Sequence, residues 1–361
     1  MKVRLKELGE IITGNTPSKK IKEFWNSEDI YFIKPDIIED SGVNEISETN
    51  EYISEEARKK ARIVTKKSIF VTCIGSIGKI GIASAGEYAF NQQINAIVPN
   101  EKVQSKYLAY NLLYNKPRLV AMANAPVVPI INKRQFGEFI VNIETDIGRQ
   151  VKIVNVLDRL THIIRLSKQE LEKLDELIKA RFVEMFGDPI INSKHLETKE
   201  LKDILILKAG DFTAASDIAD EPSEFNPYPC YGGNGIRGYV VEYNQEGEYS
   251  LVGRQGALSG NVQFASGKFK NTEHALLVTP IVEMNCIWLN QLLVNLDLKR
   301  YQTGAAQPGL SVKNLQEIKI LCVSIDEQKA FADFVRQVDK SKVAVQKALD
   351  ETQTLFDSLM Q

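Results

Sequence analysis

The sequence of 361 residues contains one long heptad-patterned segment in each half, and the two segments keep the same register. Apolar residues recur at the a and d heptad positions of both. Each position of the first segment is matched 178 residues later, as Ile153 is by Phe331 (331 − 153 = 178). A repeat of this size indicates two copies of one unit joined in tandem. The heptads predict two long helices that pack against each other.

The segments that precede the heptads repeat as well. Leu5–Leu8 followed by Gly14 is matched by Leu201–Ile204 followed by Gly210. Short runs rich in β-branched residues alternate with glycine turns, without a regular βαβ order, and this predicts an α+β fold. The expected strands are 68–72, 80–84, 94–98, 249–253, 261–265 and 275–279, and the expected short helices are 54–62, 104–114 and 285–299.

Start and stop signals for the long helices predict the domain boundaries. We expect globular domains at 1–149 and 188–325, each followed by a long helix, at 150–187 and 326–361. The termini of a domain usually lie close together. The second helix should therefore start beside the end of the first, and the two helices should run antiparallel.

In a fully overlapped antiparallel register, Arg181 would lie opposite Phe331 and Lys342 opposite Leu171. Isolated polar residues at a and d positions fix the register of a helix pair at some cost in stability. A helix of about 33 residues is roughly 50 Å long, which matches on the order of 15 base pairs of DNA. Such helices can set the distance between two DNA-contacting domains; a plain linker or a dimerisation stalk is the alternative interpretation.

Composition and targeting signals exclude several classes of protein. Four scattered cysteines without a CxxC motif (Cys73, Cys230, Cys286 and Cys322) favour buried free thiols over disulfides or zinc ligands. No apolar run reaches the ~20 residues of a membrane span, and the N-terminus lacks the apolar stretch of a signal peptide. We therefore expect a cytoplasmic protein. The net charge of −2 does not by itself indicate a nucleic-acid partner.

Two glycine-rich motifs resemble nucleotide-binding loops but lack the residues that such loops need. In Gly75–Lys79 the spacing is too short for a phosphate loop, and Ile80 replaces the Ser or Thr that would hold magnesium. Gly232–Gly238 contains GxG without the strand–turn–helix context of a dinucleotide site. The sequence contains no recognisable catalytic acid pair, triad or metal-ligand cluster. We expect neither catalytic residues nor a metal site.

Basic and amide side chains in turns are the candidates for contacting DNA. Arg and Lys can bind phosphates, and Arg, Gln and Asn can read guanine and adenine edges. A solvated helix face is the alternative interpretation of the basic segment Arg58–Arg62, and polar turn residues often only form turns. The candidates are Lys34, Arg58, Lys59, Arg62, Ser76, Lys79, Asn91, Gln92, Lys133, Asn234, Arg237, Arg254, Gln255, Asn261, Lys270, Tyr301, Gln302, Gln307 and Lys313.

Taken together, these motifs resemble the DNA specificity subunits of type I restriction–modification systems. The resemblance spans nearly the whole chain, and its combination of motifs is specific although no single motif is. The motifs are Ile74–Gly78 with Asn91–Ile94 in the first half, Ala180–Pro189 at the end of the first helix, and Tyr231–Gly235, Gly253–Gly256, Lys270–Ala275 and Gly304–Pro308 in the second half.

The resemblance implies that each globular domain is a target recognition domain for one half of a split site in double-stranded DNA. The paired helices would set the gap and dock two methyltransferase subunits. Those subunits, with restriction subunits in the full complex, would carry S-adenosylmethionine, ATP and magnesium and perform adenine-N6 methylation and cleavage. This chain would itself be non-catalytic and hold no cofactor. No base assignment transfers from the family.

The sequence departs from its own repeat at one point. The second helix reaches Gln361 without an equivalent of Phe186-Gly187-Asp188-Pro189, so we expect that end of the helix pair to differ. A second hypothesis is an adaptor protein with a coiled-coil stalk and no DNA partner. A third, an enzyme that methylates DNA itself, is disfavoured by the missing motifs.

Overall fold

The computed structural model of the chain describes residues 1–123, 128–303 and 309–360. It divides into two compact units, Met1–Ser167 with Ala348–Gln361 (unit 1) and Lys168–Lys347 (unit 2). Each unit therefore contains a globular part and one stretch from each of the two long helices.

Unit 1 combines two sheets and a small strand pair. The strands are β1 (Lys2–Arg4), β2 (Gly9–Thr13), β3 (Ile30–Ile33), β4 (Val43–Ile46), β5 (Tyr52–Ile53), β6 (Ile63–Thr65), β7 (Ile69–Thr72), β8 (Ile80–Ala83), β9 (Glu87–Phe90), β10 (Ile94–Pro99) and β11 (Ile140–Asn142). The five-stranded sheet has the order β2-β10-β7-β8-β4, the four-stranded sheet has the order β5-β3-β9-β6, and β1 pairs with β11. The α-helices of the globular part are α1 (Leu5–Leu8), α2 (Ser105–Tyr114), α3 (Lys116–Met122) and α4 (Lys133–Glu138), and two 3-10 helices span Lys22–Trp25 and Glu55–Lys60.

The core of unit 1 lies on both faces of β7, because successive side chains of a strand point to opposite faces. Phe70 packs against Tyr88 and Phe90 of β9, with ring centroids 5.6 and 5.3 Å away, and so joins the two sheets. Ile69 and Val71 belong to a separate cluster that includes Leu108 and Leu112 of α2. The five-stranded sheet is thus covered by a sheet on one face and by a helix on the other.

Unit 2 has a single large sheet of six strands, in the order β13-β18-β16-β17-β14-β15, and a strand pair, β12–β19. All its pairings are antiparallel except that of β14 with β17. The strands are β12 (Thr198–Glu200), β13 (Leu205–Ala209), β14 (Tyr228–Gly232), β15 (Gly235–Val240), β16 (Gln245–Gly253), β17 (Val262–Asn271), β18 (Ala275–Pro280) and β19 (Lys319–Leu321). The α-helices are α6 (Leu201–Ile204), α7 (Cys286–Asn295) and α8 (Val312–Gln316), and the 3-10 helices are Ala215–Asp217, Gly256–Leu258 and Leu298–Tyr301.

The two units share a scaffold, which confirms the tandem repeat. The order β2-β10-β7-β8 in unit 1 corresponds to β13-β18-β16-β17 in unit 2, and the pair β1–β11 corresponds to β12–β19. Helices α2 and α7 have the same length of 10 residues. The two units differ in the elements added to this scaffold: unit 1 has a second sheet, and unit 2 extends its sheet with β14 and β15.

Two long helices follow the globular parts, α5 (Ile147–Phe186) and α9 (Ile325–Met360). In unit 1 the beginning of α5 meets the end of α9, where Val154 and Leu157 share a cluster with Phe356 and Met360. In unit 2 the end of α5 meets the beginning of α9. Because the opposite ends meet in each unit, the helices are antiparallel, as the repeat predicts.

The helix register in unit 2 differs in detail from the expected one. Phe331 packs against Phe182 and Phe186, at centroid distances of 5.5 and 5.6 Å. Arg181 instead places its guanidinium 5.7 Å from the ring centre of Phe334. Long basic side chains bury their stems and direct their charged ends outward. The ring of Phe331, and not Arg181, therefore packs at the centre of the helix contact.

Lys342 shows the same behaviour as Arg181. Its Nζ lies 2.6 Å from the Asp175 carboxylate, one helical turn beyond the expected partner Leu171. A heptad pattern predicts which face of a helix is apolar, but side-chain length decides which residues of that face meet.

Most of the short predicted elements match. All six strands are present, and 104–114 contains α2. The segment 54–62 forms only a 3-10 helix, Glu55–Lys60. The helix expected over 285–299 ends at Asn295, because Asp297 adopts a left-handed conformation with φ of 48° before a short 3-10 turn.

Two further expectations from the sequence concern the cysteines and the absence of membrane spans. All four cysteines are free, but only Cys73 and Cys230 are buried; Cys286 and Cys322 are half-buried. Burial raises the pKa of the Cys73 thiol to about 12. Within the ranges described above, no helix has the length and apolar character to cross a membrane.

Candidate nucleic-acid interface

One edge of the unit 2 sheet gathers the polar candidates of the second half. β16 ends there, β17 and β18 begin there, and the turn between β14 and β15 joins them. The Arg254 N–H donates to the His274 carbonyl at 3.1 Å. The Asn261 amide Nδ2 donates to Asn234 Oδ1 at 2.7 Å. The structure therefore brings together three candidate residues from two connections, Asn234 between β14 and β15 and Arg254 and Asn261 between β16 and β17.

Gln255 is exposed at this edge and contacts a histidine that is not among the predicted DNA-contacting residues. Its Oε1 lies 3.1 Å from His274 Nδ1. His274 Nε2 in turn lies 3.1 Å from the Glu273 carboxylate, which accepts a hydrogen bond from the Thr213 N–H at 3.2 Å. These contacts hold the Gln255 carboxamide in place at the exposed edge. The signal for His274 was its place directly before a predicted strand.

Glycines allow the turns at this edge to approach so closely. A Cβ at Gly253 would lie 2.4 Å from the Gly233 carbonyl oxygen. Gly260 has a φ of +85°, and a Cβ there would lie 2.6 Å from the Lys299 nitrogen. Only glycine meets both demands, so these positions shape the surface on which Arg254 and Gln255 are displayed.

The other unit 2 candidates have different surroundings. Gln302 Nε2 donates to the Ser259 carbonyl at 2.6 Å and so braces the turn after β16. Tyr301 is partly buried against the core, which gives it a packing role. Lys270 lies 3.6 Å from Asp211, and the hydrogen bond from Asn244, with the charge of Lys270, lowers the pKa of that carboxyl. Arg237 and Lys313 are exposed, and Gln307 lies outside the described residues.

The corresponding edge of unit 1 is built from the turns after β2 and β7 and the turn before β10. The Gly14 N–H donates to the Ile94 carbonyl at 3.0 Å, and the Cys73 N–H donates to the Gln93 carbonyl at 2.7 Å. The exposed Gln92 accepts a hydrogen bond from Thr16 Oγ1 at 3.0 Å. Three turns that are distant in sequence therefore form one polar surface.

Ser76 lies at the exposed tip of the turn between β7 and β8. The neighbouring Gly75 has a φ of +78° and hydrogen bonds through its N–H to the Pro129 carbonyl at 3.0 Å. Asn91, in contrast, is only 8% exposed. Its Nδ2 donates to Gln93 Oε1 at 2.9 Å, and its Oδ1 accepts from the Gln93 N–H at 3.0 Å. Asn91 therefore braces its own turn.

Asn15, which is not among the predicted DNA-contacting residues, joins the basic segment to this edge. Its Nδ2 donates to the Lys60 carbonyl at 2.6 Å, and its Oδ1 accepts from the Arg62 N–H at 2.9 Å. Lys59 and Arg62 are exposed beside it. An asparagine after the first long strand gives no signal in a single sequence, because its partners lie more than 40 positions away.

Arg58 is occupied by ion pairs within unit 1. Its guanidinium hydrogen bonds Glu87 and Glu55, and both contacts raise its pKa, Glu87 more than Glu55. The same bond from Arg58 lowers the pKa of Glu87. Arg58 is therefore less available to a phosphate than its exposed neighbour Lys59.

Two lysines of unit 1 are likewise bound within the domain. Lys34 forms an ion pair with Glu51. Burial alone would raise the pKa of Glu51, but hydrogen bonds from Lys34 and Lys19 outweigh it and lower that pKa. Lys79 places its Nζ 3.3 Å from the Pro35 carbonyl oxygen. Lys133, at the start of α4, is exposed.

Comparisons with solved structures agree with this fold. The S subunit of a type I restriction–modification system from M. genitalium superposes with a TM-score of 0.64 at 18% identity, covering 100% of this chain and 94% of that one. A second structure, described by the assembly and conformational transition of a type I restriction–modification system, gives a TM-score of 0.58 at 14% identity. It covers 100% of this chain and 96% of its own.

Sequence comparison identifies the family. The EcoprrI type I restriction enzyme specificity subunit of Escherichia coli is 30% identical over 349 residues, which cover 93% of this chain and 86% of that protein. The MjaIX specificity subunit of Methanocaldococcus jannaschii is 29% identical over 235 residues, 60% of this chain and 54% of its own. The family model described as the type I restriction modification DNA specificity domain matches twice, at residues 1–176 and 193–352. The chain therefore belongs to the type I restriction–modification specificity subunits.

Proposed function

We propose that this subunit recognises a bipartite site in double-stranded DNA, with one half-site read by the polar edge of each unit. The observation that supports this most is that both units build a polar surface at the same edge of the shared scaffold. In unit 1 the surface carries Ser76 and Gln92, and in unit 2 it carries Arg254 and Gln255. A scaffold kept alike with different side chains at one edge is expected of two readers of different sequences.

The side chains at these edges have the chemistry that base recognition requires. A guanidinium can donate twice to guanine, and a carboxamide can both donate to and accept from adenine. Arg254 and Gln255 offer both groups on adjacent residues beside a turn held by Gly253. The exposed basic residues Lys59 and Arg62 would contact phosphates, which position a protein on DNA without reading its sequence.

The proposed function includes targeting of partner enzymes. In this proposal two methyltransferase subunits, and restriction subunits in the full complex, are brought to the site and supply S-adenosylmethionine, ATP and magnesium. The chain itself would contribute recognition and no catalytic group. Among the described residues, no group of three or more His, Cys, Asp or Glu side chains is placed to hold a metal ion.

Sequencing of modified bases in cells that express the subunit with its methyltransferase tests the proposal. Arg254→Ala should relax or change the second half-site and leave the first as it was. A lost guanine contact of this kind costs about 1–3 kcal/mol of discrimination. Gln92→Ala should affect only the other half-site.

Matched controls come from the opposite end of the scaffold. Lys6 in α1 and Lys202 in α6 are exposed and occupy equivalent positions (202 − 6 = 196, the spacing of Leu5 and Leu201). Lys6→Ala and Lys202→Ala should leave the methylated motif unchanged. A motif that is insensitive to Arg254, Gln255, Ser76 and Gln92 would favour the alternative, an adaptor that does not read DNA.

A further inference from the structure

His274 in unit 2 lies between two oxygen atoms that accept hydrogen bonds. Its Nδ1 is 3.1 Å from Gln255 Oε1, and its Nε2 is 3.1 Å from the Glu273 carboxylate. A neutral imidazole has one donor and one acceptor nitrogen, whereas the protonated ring donates from both. The arrangement in the structure therefore suits the protonated ring.

The Glu273 side of this arrangement is fixed. Its second carboxylate oxygen accepts a hydrogen bond from the Thr213 N–H at 3.2 Å, and its own N–H donates to the Asp211 carbonyl at 3.2 Å. An ionised carboxylate only accepts hydrogen bonds, so it keeps a proton on His274 Nε2 when the ring is neutral. The nitrogen that loses its proton is then Nδ1, which faces Gln255.

The backbone next to Gln255 is fixed as well. The Arg254 N–H donates to the His274 carbonyl at 3.1 Å, and the Arg254 carbonyl accepts from the Leu310 N–H at 2.9 Å. Gln255 itself forms a bridge to Gly309. Its side chain is exposed, and the terminal torsion of a glutamine is soft and roughly two-fold. The carboxamide can therefore exchange the places of its oxygen and its nitrogen without a movement of the main chain.

We propose that His274 is a positioning residue whose proton decides which end of the Gln255 carboxamide faces the DNA. This inference rests on the proposed function, since it concerns how Gln255 reads a base. In the protonated form, Nδ1–H donates to Gln255 Oε1 and the NH₂ group points outward. When Nδ1 releases its proton to water it becomes an acceptor. The carboxamide then turns, so that its NH₂ group donates to Nδ1 and its oxygen points outward.

The two orientations of Gln255 favour different bases. In the major groove, adenine and cytosine present amino donors, whereas guanine and thymine present keto acceptors. An outward oxygen therefore favours adenine or cytosine, and an outward NH₂ group favours guanine or thymine. The N7 acceptor is common to both purines and does not discriminate between them. Histidine ordinarily gains or loses its proton between about pH 5 and 8, so the base preferred at one position should depend on pH in that range.

Charged side chains on the elements around His274 complete its surroundings. Asp, Glu, Lys and Arg side chains ordinarily keep their charge between about pH 5 and 8. Cys230 and Tyr231 of β14 stay neutral, because burial raises the pKa of both. The charged residues are Glu273, Arg254 after β16, Arg237 on β15, and Asp211, which pairs with Lys270 of β17 at 3.6 Å.

The repeat supplies an internal control, because unit 1 has other side chains at these places. The Cys73 N–H donates to the Gln93 carbonyl at 2.7 Å, as the Arg254 N–H does to the His274 carbonyl. An offset of 181 relates the two sites (274 − 93 = 181). By this offset the counterparts of Gln255, Glu273 and His274 are Ile74, Gln92 and Gln93. These three side chains carry no titratable group, so the first half-site should be read alike across the same pH range.

One isosteric substitution should lock a single orientation of Gln255. In Glu273→Gln, the carboxamide oxygen takes over the hydrogen bond from the Thr213 N–H, and its NH₂ group then faces His274 Nε2. That nitrogen must accept, so the neutral ring carries its proton on Nδ1 and donates to Gln255 Oε1. The NH₂ group of Gln255 therefore points outward in the neutral state too.

The test uses the full-length subunit, purified with its methyltransferase, and a pool of random-sequence DNA duplexes. Methylated molecules are sequenced after reactions at about pH 6 and about pH 8.5, on either side of the usual histidine range. Ratios of bases within one reaction cancel any effect of pH on the catalytic rate. Gln255→Ala should relax one position of the second half-site and so identify the base that Gln255 reads.

At that position, the ratio of amino bases to keto bases should rise about five-fold or more from the lower to the higher pH, the size expected for one hydrogen bond. Glu273→Gln should keep the lower ratio at both pH values. The first half-site should be the same in all these reactions, because unit 1 has no counterpart of His274.

A measurement without DNA follows the histidine directly. The chain has three histidines, and long-range ¹H–¹⁵N spectra of the full-length subunit distinguish the two neutral tautomers. Neutral His274 should carry its proton on Nε2 in the wild type and on Nδ1 in Glu273→Gln. His195→Asn is the control, since His195 is exposed after the end of α5 and asparagine tolerates its positive φ of 55°. It should change neither the His274 spectrum nor the selected motif.

The outcomes separate this inference from the proposed function. If no motif is selected at either pH, the proposed DNA recognition fails, and the role of His274 fails with it. If a motif is selected but Gln255→Ala relaxes no position, or the relaxed position ignores both pH and Glu273→Gln, only the role of His274 is overturned. A neutral wild-type His274 with its proton on Nδ1 would overturn that role as well.

Discussion

The two units have the same joint between globule and helix, but they complete it differently. In both, a buried glutamine of the long helix accepts a hydrogen bond from the residue before an equivalent short helix: Gln150 from the Gln104 N–H and Gln328 from the Asn285 N–H. In unit 2, Phe186 then fills the space between the helices, whereas the same place in unit 1 is a groove lined by α2, α5 and α9. The shared part fixes how each globular part meets its long helix, and the units differ in what lies in the space beside it.

The largest expected effect comes from removing the Phe186 ring from the space beside Trp288 and Phe331 in unit 2. Phe186→Ala should destabilise unit 2 by about 3–5 kcal/mol, because it leaves a cavity beside Trp288 and Phe331. Met360→Ala, at the groove of unit 1, should cost clearly less because Met360 is only partly buried. Urea unfolding of the two variants measures the difference. Equal losses would mean that the two joints do not differ in packing.

The second effect tests the part that the units share. Gln150→Ala and Gln328→Ala should each cost about 1–3 kcal/mol, because each leaves a partly buried N–H without its acceptor. The loss should be local, so amide hydrogen exchange of Gln104 should accelerate only in the first variant and that of Asn285 only in the second. Acceleration of both amides in either variant would show that the joints are not independent.

The smallest expected effect concerns acid stability, where the units use different ion pairs. Hydrogen bonding to Arg58 holds the pKa of Glu87 below its ordinary value of 4.5. The pair therefore stabilises unit 1 above about pH 4.5, and this contribution is lost as pH falls through the lowered pKa. Glu87→Gln should reduce the acid dependence of unit 1 unfolding by a small amount, because the pair is exposed. Urea midpoints at pH 7 and pH 3.5 measure it, with Asp36→Asn, an exposed carboxyl elsewhere in unit 1, as the control.

The scaffold was more predictable than the recognition surfaces. Local runs of β-branched residues indicate strands such as β7 and β18, and local periodicity indicates α2. Asn15 gives no local signal, and His274 gives only its place before a predicted strand, since their roles depend on partners brought together by the sheet. Arg58 and Lys34 illustrate the converse: their charge suggested phosphate contacts, but acidic neighbours in the fold pair with them.

The sequence by itself determined the tandem repeat, the two long helices and their antiparallel pairing, because a heptad pattern and a constant offset of 178 residues are properties of residue order. It also determined the family through motifs spread over both halves. Only the tertiary structure decided which side chains meet across the helix pair, which basic residues are already paired and where a groove takes the place of Phe186. Those outcomes depend on side-chain size and on contacts between residues far apart in the chain, and no local pattern encodes them.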